Sequence, residues 1–229
     1  MCGRYTVSNP GEILPELVGG GDSPEIAARF NVAPTQLAPV VIAGEDGVRR
    51  AVEMRWGLVP YWAEGPEIGS RMINARSETV AEKAAFRDSF RRRRCLVAAD
   101  GFYEWQKVAG GKQPFLLRLT GGAPFGFAGL WDRWRGPRGR ILESFTILTT
   151  TPNELVAPIH DRMPVILAPE GRDLWLDEAA SGEALQGVLG PYAAAAMEAI
   201  AVSDYVSNPA HDSLRCMQPL LPPAQGTLF

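Results

Sequence analysis

The sequence predicts an α+β fold: a single domain over residues 1–229, built on mainly antiparallel β-sheet and flanked by helices. Three observations predict it. Short runs rich in Val, Ile, Phe and Tyr recur along the chain, separated by turn residues. Helical periodicity interrupts them irregularly instead of alternating strand by strand, which argues against parallel βαβ units. No internal repeat and no long polar linker divides the 229 residues, a length sufficient for one well-filled core.

The elements follow in order. Arg4 to Val7 reads as a strand with Cys2 at its head. Ser8-Asn9-Pro10 offers a capping side chain and an early proline to a helix through Ile13 and Leu17, stopped at Gly19-Gly20-Gly21. Ser23-Pro24 opens a second short helix that ends before Asn31. Leu37 to Ala43 and Arg49 to Trp56 are strands joined by the turn Glu45-Asp46-Gly47. Gly57 to Met72, with Tyr61 and Trp62, is a Pro/Gly-rich loop. Thr79 to Arg91 has helical spacing, with Ser77 as cap and Glu78 in its first turn.

Cys95 to Ala99 is a short apolar strand, and Phe102 to Lys107 and Pro114 to Leu119 bracket Gly110-Gly111 as a hairpin. Phe125 to Trp131 and Ser144 to Thr150 are strands separated by the polar turn Arg135 to Arg140. Asn153 opens a turn of helix, Pro164 to Leu167 is a strand, and Asp173 to Trp175 and Gly182 to Leu189 are helical. Ile200 to Val202 closes the fold, and the tail after Pro219 reads as frayed.

Composition narrows the function. There are 23 Lys+Arg against 26 Asp+Glu, a net charge of −3, so any nucleic-acid contact has to be a local basic patch. Cys2, Cys95 and Cys216 form no CxxC pair, and His160 and His211 are the two histidines. That argues against a structural zinc site or a disulfide framework and suits a reducing compartment. With no signal-type apolar segment and no run near 18 apolar residues, the expected location is the cytoplasm, without membrane contact. No cofactor and no metal are expected, and the expected state is a monomer.

Five stretches carry chemistry. Cys2 follows Met1; removal of that methionine leaves a free α-amine beside the thiol. Such a 1,2-aminothiol condenses with an aldehyde, amine first to a Schiff base and thiol second to a thiazolidine. Unperturbed, the two groups titrate at about 7.7–8.0 and 8.5 and need only modest tuning. In Asn74-Ala75-Arg76-Ser77-Glu78-Thr79, helix capping explains the last three residues but not Asn74 or Arg76, which suit a polar substrate and a phosphate. Glu104 lies among aromatics in Asp100-Gly101-Phe102-Tyr103-Glu104-Trp105, where desolvation raises a carboxylate toward proton-shuttle range; an edge position or a core salt bridge is the structural alternative.

His160 and Arg162 sit between Pro158 and Pro164. They suit a leaving oxygen and a phosphate, although a lone histidine is more often structural. Tyr61, Trp62 and Trp105 offer faces to unpaired bases, whereas Trp131, Trp134 and Trp175 read as core filling. The basic run Arg91 to Arg94 is either a solvated helix end or a DNA contact.

Six blocks, taken together, resemble the SRAP (SOS response-associated peptidase, abasic-site-processing) family. They are Met1-Cys2-Gly3-Arg4-Tyr5, Phe30-Asn31-Val32-Ala33-Pro34-Thr35, Arg55-Trp56-Gly57-Leu58-Val59-Pro60, Ile73 to Thr79, Ala99 to Trp105 and Ile159-His160-Asp161-Arg162-Met163-Pro164. The resemblance implies a curved, barrel-like sheet core and a positive groove for single-stranded DNA containing abasic sites. It implies that Cys2 forms a DNA–protein crosslink with the ring-opened deoxyribose aldehyde, a lyase-like Schiff-base chemistry, and that the chain has autopeptidase activity at its N-terminus. It assigns Asn74 to the crosslinked sugar and Glu104 and His160 to proton transfer. Arg4, Arg76 and Arg162 are assigned to phosphates, and Pro34, Trp62, Ser77 and Trp105 to the DNA surface. Val206 to His211 matches the family pattern loosely and receives no role.

Two other classes stay open. Met-Cys-Gly also opens N-terminal-nucleophile amidohydrolases, in which the Cys2 thiol attacks an amide with its own amine as base. A non-covalent single-strand-binding module accounts for the tryptophans and arginines and leaves Cys2, Glu104 and His160 idle.

Overall fold

The computed structural model describes residues 2–20, 24–44 and 46–220. In chain order the elements begin with β1 (Tyr5–Val7), α1 (Pro10–Val18), β2 (Arg29–Val32), β3 (Leu37–Ala43), β4 (Arg49–Trp56), β5 (Asn74–Arg76) and α2 (Arg87–Arg92). They continue with β6 (Arg94–Ala99), β7 (Gly101–Val108), β8 (Gly111–Leu119), β9 (Phe125–Arg135) and β10 (Ile141–Thr150). The last are β11 (Met163–Pro164), β12 (Ile166–Leu167), α3 (Pro169–Leu176), α4 (Gly182–Gly187) and β13 (Met197–Ala201).

The strands form two sheets. In the larger, β10, β4, β3, β6 and β9 pair in turn, and β9 pairs back to β10, so the ring closes. Its pairings are antiparallel except β4–β10, which run parallel with Ser144 opposite Arg55. Closure leaves these five strands without an open edge. Trp56 and Phe145 stack at 6.4 Å with nearly parallel planes, and Tyr5 meets Trp56 edge-on at 5.1 Å. The smaller sheet has the order β13-β8-β7-β1-β2. Tyr5, Phe102 and Leu117 from it pack into the same apolar core as Val40, Val97 and Phe127 from the ring. The expected mainly antiparallel α+β architecture with a barrel-like core is therefore present, with parallel pairings of β4 and β5 to β10 inside it.

Both predicted hairpins form in register, Leu37↔Arg55 to Ala43↔Arg49 and Phe102↔Leu117 to Val108↔Gly111. Gly19 takes the left-handed conformation after α1, at φ 86°, as a glycine stop should. Its partner Gly21, the Ser23 helix start, Glu45 of the turn and the tail beyond residue 220 lie outside the described residues.

Four expectations are corrected. The helix after Pro24 does not form: the chain there is irregular and then becomes β2, because Asp212 accepts from the amides of Phe30 and Asn31 at 2.5 and 3.0 Å. The Asn9 side chain makes no capping bond; Asp100, from the start of the β7 hairpin, accepts from the Ser8 and Asn9 amides at 2.8 and 3.1 Å. The helix expected from Thr79 begins only at Arg87, and residues 77–86 are turns. Ser77 is accordingly no cap: its amide donates to the Thr149 carbonyl at 2.9 Å, which extends the β5–β10 pairing by one step. Asn153 does open a turn of helix: the Ala157 amide donates to its carbonyl at 2.9 Å, and its side chain accepts from the Val156 amide at 3.0 Å. Among the described residues, no helix is long and apolar enough to cross a membrane.

Candidate active site

Sheet pairing brings the N-terminus, β5 and β7 to one place. β1 is an interior strand of the small sheet, with Tyr5 opposite Phe102 of β7 and Val32 of β2. Cys2, three residues before β1, is fully buried. β5 lies parallel to β10 with Asn74 opposite Ile147. From there the Asn74 amide nitrogen donates to the Cys2 carbonyl at 2.8 Å. Its amide oxygen is enclosed and has no hydrogen-bond donor among the described residues.

Glu104 occupies the middle of β7, 3% exposed. Alternation sends Phe102 into the main core and Tyr103 into a smaller cluster on the opposite face, as the strand pattern requires. Burial raises the Glu104 carboxyl to about 7, so protonated and ionised forms coexist at neutral pH. Its charge also reaches Cys2. The thiol is pushed far above its ordinary value, first by burial and then by Glu104. The modest tuning expected of Cys2 is thus not what the fold supplies: the resting thiol keeps its proton.

His160 Nε2 stands 4.0 Å from Glu104 Oε2. The ring is oriented by the Arg162 amide, which donates to Nδ1 at 3.0 Å, leaving Nε2 to carry the proton of the neutral form. Burial lowers the His160 pKa, favouring that form. Gln106, two residues beyond Glu104 on the same face, donates to the Pro158 carbonyl at 3.1 Å and ties the histidine loop to β7.

Arg76, Ser77 and Arg162 gather around Thr149. Arg76 is exposed and directly opposite Thr149. Arg162 donates to the Thr149 carbonyl at 2.6 Å and grips Glu78 with both terminal nitrogens, at 2.6 and 2.9 Å. That hydrogen bonding holds the Glu78 carboxyl below its ordinary value. Glu78, expected in the first turn of a helix, is instead the ion-pair partner of an arginine on the far side of β10.

The remaining candidates lie outside this cluster's hydrogen bonds. Arg4 turns toward Asn31 Oδ1 and the Val206 carbonyl, at 3.1 and 3.0 Å. Trp105 Nε1 donates to Ser207 Oγ at 3.1 Å. Asn31, which the sequence singled out only as part of a motif, is fully buried and donates to the carbonyls of Val206, Asn208 and His211. The Val206 to His211 segment therefore belongs to the scaffold under Arg4. Pro34 is half-buried in the turn before β3, and Trp62 is 48% exposed on the loop after β4. Among the described residues no group of three or more His, Cys, Asp or Glu could hold a metal ion.

Comparison with known proteins finds similar chains. The family model described as SOS response associated peptidase (SRAP) matches residues 1–209. The abasic site processing protein YoqW of Bacillus subtilis is 40% identical over 225 residues, covering 93% of this chain and 97% of that protein. The abasic site processing protein YedK of Escherichia coli is 31% identical over 189 residues, covering 80% and 82%. A crystal structure of a protein from Bacteroides thetaiotaomicron aligns with a TM-score of 0.86 at 26% identity, covering 96% of this chain and all of that one.

Proposed function

Because the chain belongs to the SRAP family, whose named relatives are abasic site processing proteins, we propose that it captures abasic sites in single-stranded DNA by a covalent bond through Cys2. The observation that carries the reading is the convergence on Cys2 of an amide anchor, Asn74, and a carboxyl poised near neutrality, Glu104.

With Met1 gone, the Cys2 amine adds to C1′ of the ring-opened deoxyribose. Loss of one water gives the Schiff base. The Cys2 sulfur then adds to the same carbon, closing the thiazolidine, and its proton passes by way of a base to the imine nitrogen. Because burial keeps the thiol protonated, the amine reacts first and the thiol needs a partner at its own step. Glu104 fits both tasks: its acid form donates to the departing hydroxyl, and its carboxylate accepts the thiol proton. His160, its Nε2 toward Glu104, is suited to protonating the sugar ring oxygen during opening. The unsatisfied Asn74 Oδ1 can accept from a sugar hydroxyl, with the side chain already fixed by Cys2. Arg76 and Arg162 offer charge to the flanking phosphates, and Trp62, Trp105 and Pro34 offer apolar surface to the bases. The resting state is a monomer in the cytoplasm, acting without metal or cofactor.

The test mixes the purified protein with a single-stranded oligonucleotide carrying one abasic site, followed by denaturing electrophoresis and intact mass spectrometry. The expected product is a heat-stable adduct at Cys2, lacking Met1 and one water. No adduct, with Met1 demonstrably absent, overturns the reading and directs attention to amide hydrolysis.

A further inference from the structure

The arginine run at the end of α2 does not simply dissolve into solvent. Arg94 turns inward, its guanidinium donating to the carbonyls of Phe90, Arg91, Trp175 and Asp177 at 2.6–2.8 Å. Arg92 and Arg93, with Arg94 behind them, border a surface cavity of about 440 Å³, walled also by Tyr61, Trp131, Arg133 and Glu178. A second hollow of about 340 Å³ shares Tyr61, Arg92 and Arg93 and adds Arg91. Trp131, read from the sequence as core filling, is only partly buried and forms a wall instead.

The cavity is built around one buried carboxylate. Asp132, 3% exposed, accepts from the Tyr61 amide at 3.0 Å and the Arg133 amide at 2.7 Å, and pairs with Arg93 at 3.2 Å. That Arg93 guanidinium lies 5.9 Å from the Tyr61 ring centre. Arg133 is held by Glu143. Arg91 and Arg92, both exposed, pair with no carboxylate among the described residues. The helix dipole accounts for cations in the last turn of α2. It does not account for two aromatic walls and a buried acid that fixes the loop bearing one of them.

The cavity's position matters as much as its lining. Asp132 faces Ser144 on β10, whereas Arg76 faces Thr149. Five residues of strand, roughly 17 Å, separate the two along one element. Tyr61 is the neighbour of Trp62, and the Trp134 indole fastens this loop by donating to the Ala63 carbonyl at 2.7 Å.

Resting on the DNA reading above, we infer that this cavity is a second nucleic-acid subsite. It takes an unstacked base between Tyr61 and Trp131 and the adjoining phosphates on Arg91 and Arg92, on the strand beyond Trp62. Unpaired arginines beside exposed aromatic faces suit single-stranded DNA, whose every nucleotide presents a phosphate and a π-face. A chain of net charge −3 gains from concentrating its free cations at such points.

The experiment measures non-covalent binding of undamaged single-stranded oligonucleotides across a salt series, so that it does not depend on crosslinking. Probes are a three-nucleotide strand, too short to span the roughly 17 Å between the two sites, and a twenty-nucleotide strand. For the double variant R91A/R92A the salt slope on the long strand should fall by about 1.4, two contacts at about 0.7 each. Affinity at about 0.1 M salt should fall at least tenfold. Binding of the short strand should be unchanged, and so should the Tm, because both side chains are exposed. Tyr61→Ala should weaken only the long strand, with little change in slope. An unchanged slope and affinity of R91A/R92A on the long strand overturns the inference. Loss of binding to an acidic peptide such as polyglutamate, with DNA binding intact, would also overturn it, by assigning the surface to a protein partner. Failure of wild-type protein to crosslink abasic DNA would overturn the parent reading and leave this measurement standing.

Discussion

The side-chain amide of Asn74 donates to the main-chain carbonyl of Cys2 at 2.8 Å, across 72 residues of sequence. One strand of a parallel pair thus holds the head of another sheet in place. The bond holds the carbonyl beside the Cys2 Cα, not the sulfur, so in the proposed chemistry the anchor leaves the side chain free to close a ring.

Removing the donor should show this. Asn74→Ala is expected to slow crosslinking about tenfold and to lower unfolding free energy by about 1 kcal/mol, one net hydrogen bond. Asn74→Asp should be slower still, since a carboxylate would face the Cys2 carbonyl oxygen. Single-turnover rates and urea unfolding of the three proteins check both; equal rates for the wild type and the aspartate variant would remove Asn74 from the site.

Glu104 predicts a pH profile. Its carboxyl is raised to about 7 by burial. If thiol attack limits the forward reaction, the carboxylate is the active form, so the crosslinking rate should rise with pH and level off above about 7. Ring opening of the adduct uses the protonated form, so reversal should be fastest below about 7 and fall as pH rises. Glu104→Gln should flatten both inflections. Gel-quantified rates between pH 5 and 9 decide it, and an inflection retained in the glutamine variant assigns the titration to another group.

Glu78 occupies both terminal nitrogens of Arg162. In the proposed complex a DNA phosphate must therefore compete with a carboxylate for that guanidinium. Glu78→Gln is expected to tighten undamaged single-stranded DNA by a few-fold and to steepen the salt slope by about 0.7. Weaker binding in fluorescence titrations would instead make Glu78 the residue that aims Arg162.

Arg94 should behave as a structural residue. Its guanidinium donates to four carbonyls at the ends of α2 and α3. Arg94→Ala leaves those acceptors without their charged donor and is expected to cost roughly 3–5 kcal/mol of stability, with Arg94→Lys recovering part of it. DNA affinity of the folded protein, measured at low temperature, should stay at the wild-type level.

Much of this was legible in the chain, for identifiable reasons. The β3–β4 and β7–β8 hairpins announce themselves because alternation and a glycine turn are local signals. Cys2, Glu104 and His160 stood out because their chemistry is rare at such positions, and the fold does bring Glu104 to both of the others. What was hidden depends on distant partners. Nothing near Phe30 says that Asp212 will bond its amide and turn a helical stretch into β2. Ser77 and Glu78 have the pattern of a helix start, and only Thr149 and Arg162 reveal them as a strand end and an ion-pair partner. Closure of the ring, with β4 and β10 parallel, is equally unreadable from either strand alone.

The interior place of β1 between β7 and β2 also sets a clock. During synthesis at about 5–20 residues per second, β7 follows the first strand by some hundred residues. For roughly 5–20 seconds the leading residues have no partner on that side and remain open to a processing enzyme. The proposed chemistry needs the methionine ahead of Cys2 removed, and that interval, before β7 pairs with β1, is an opportunity for it.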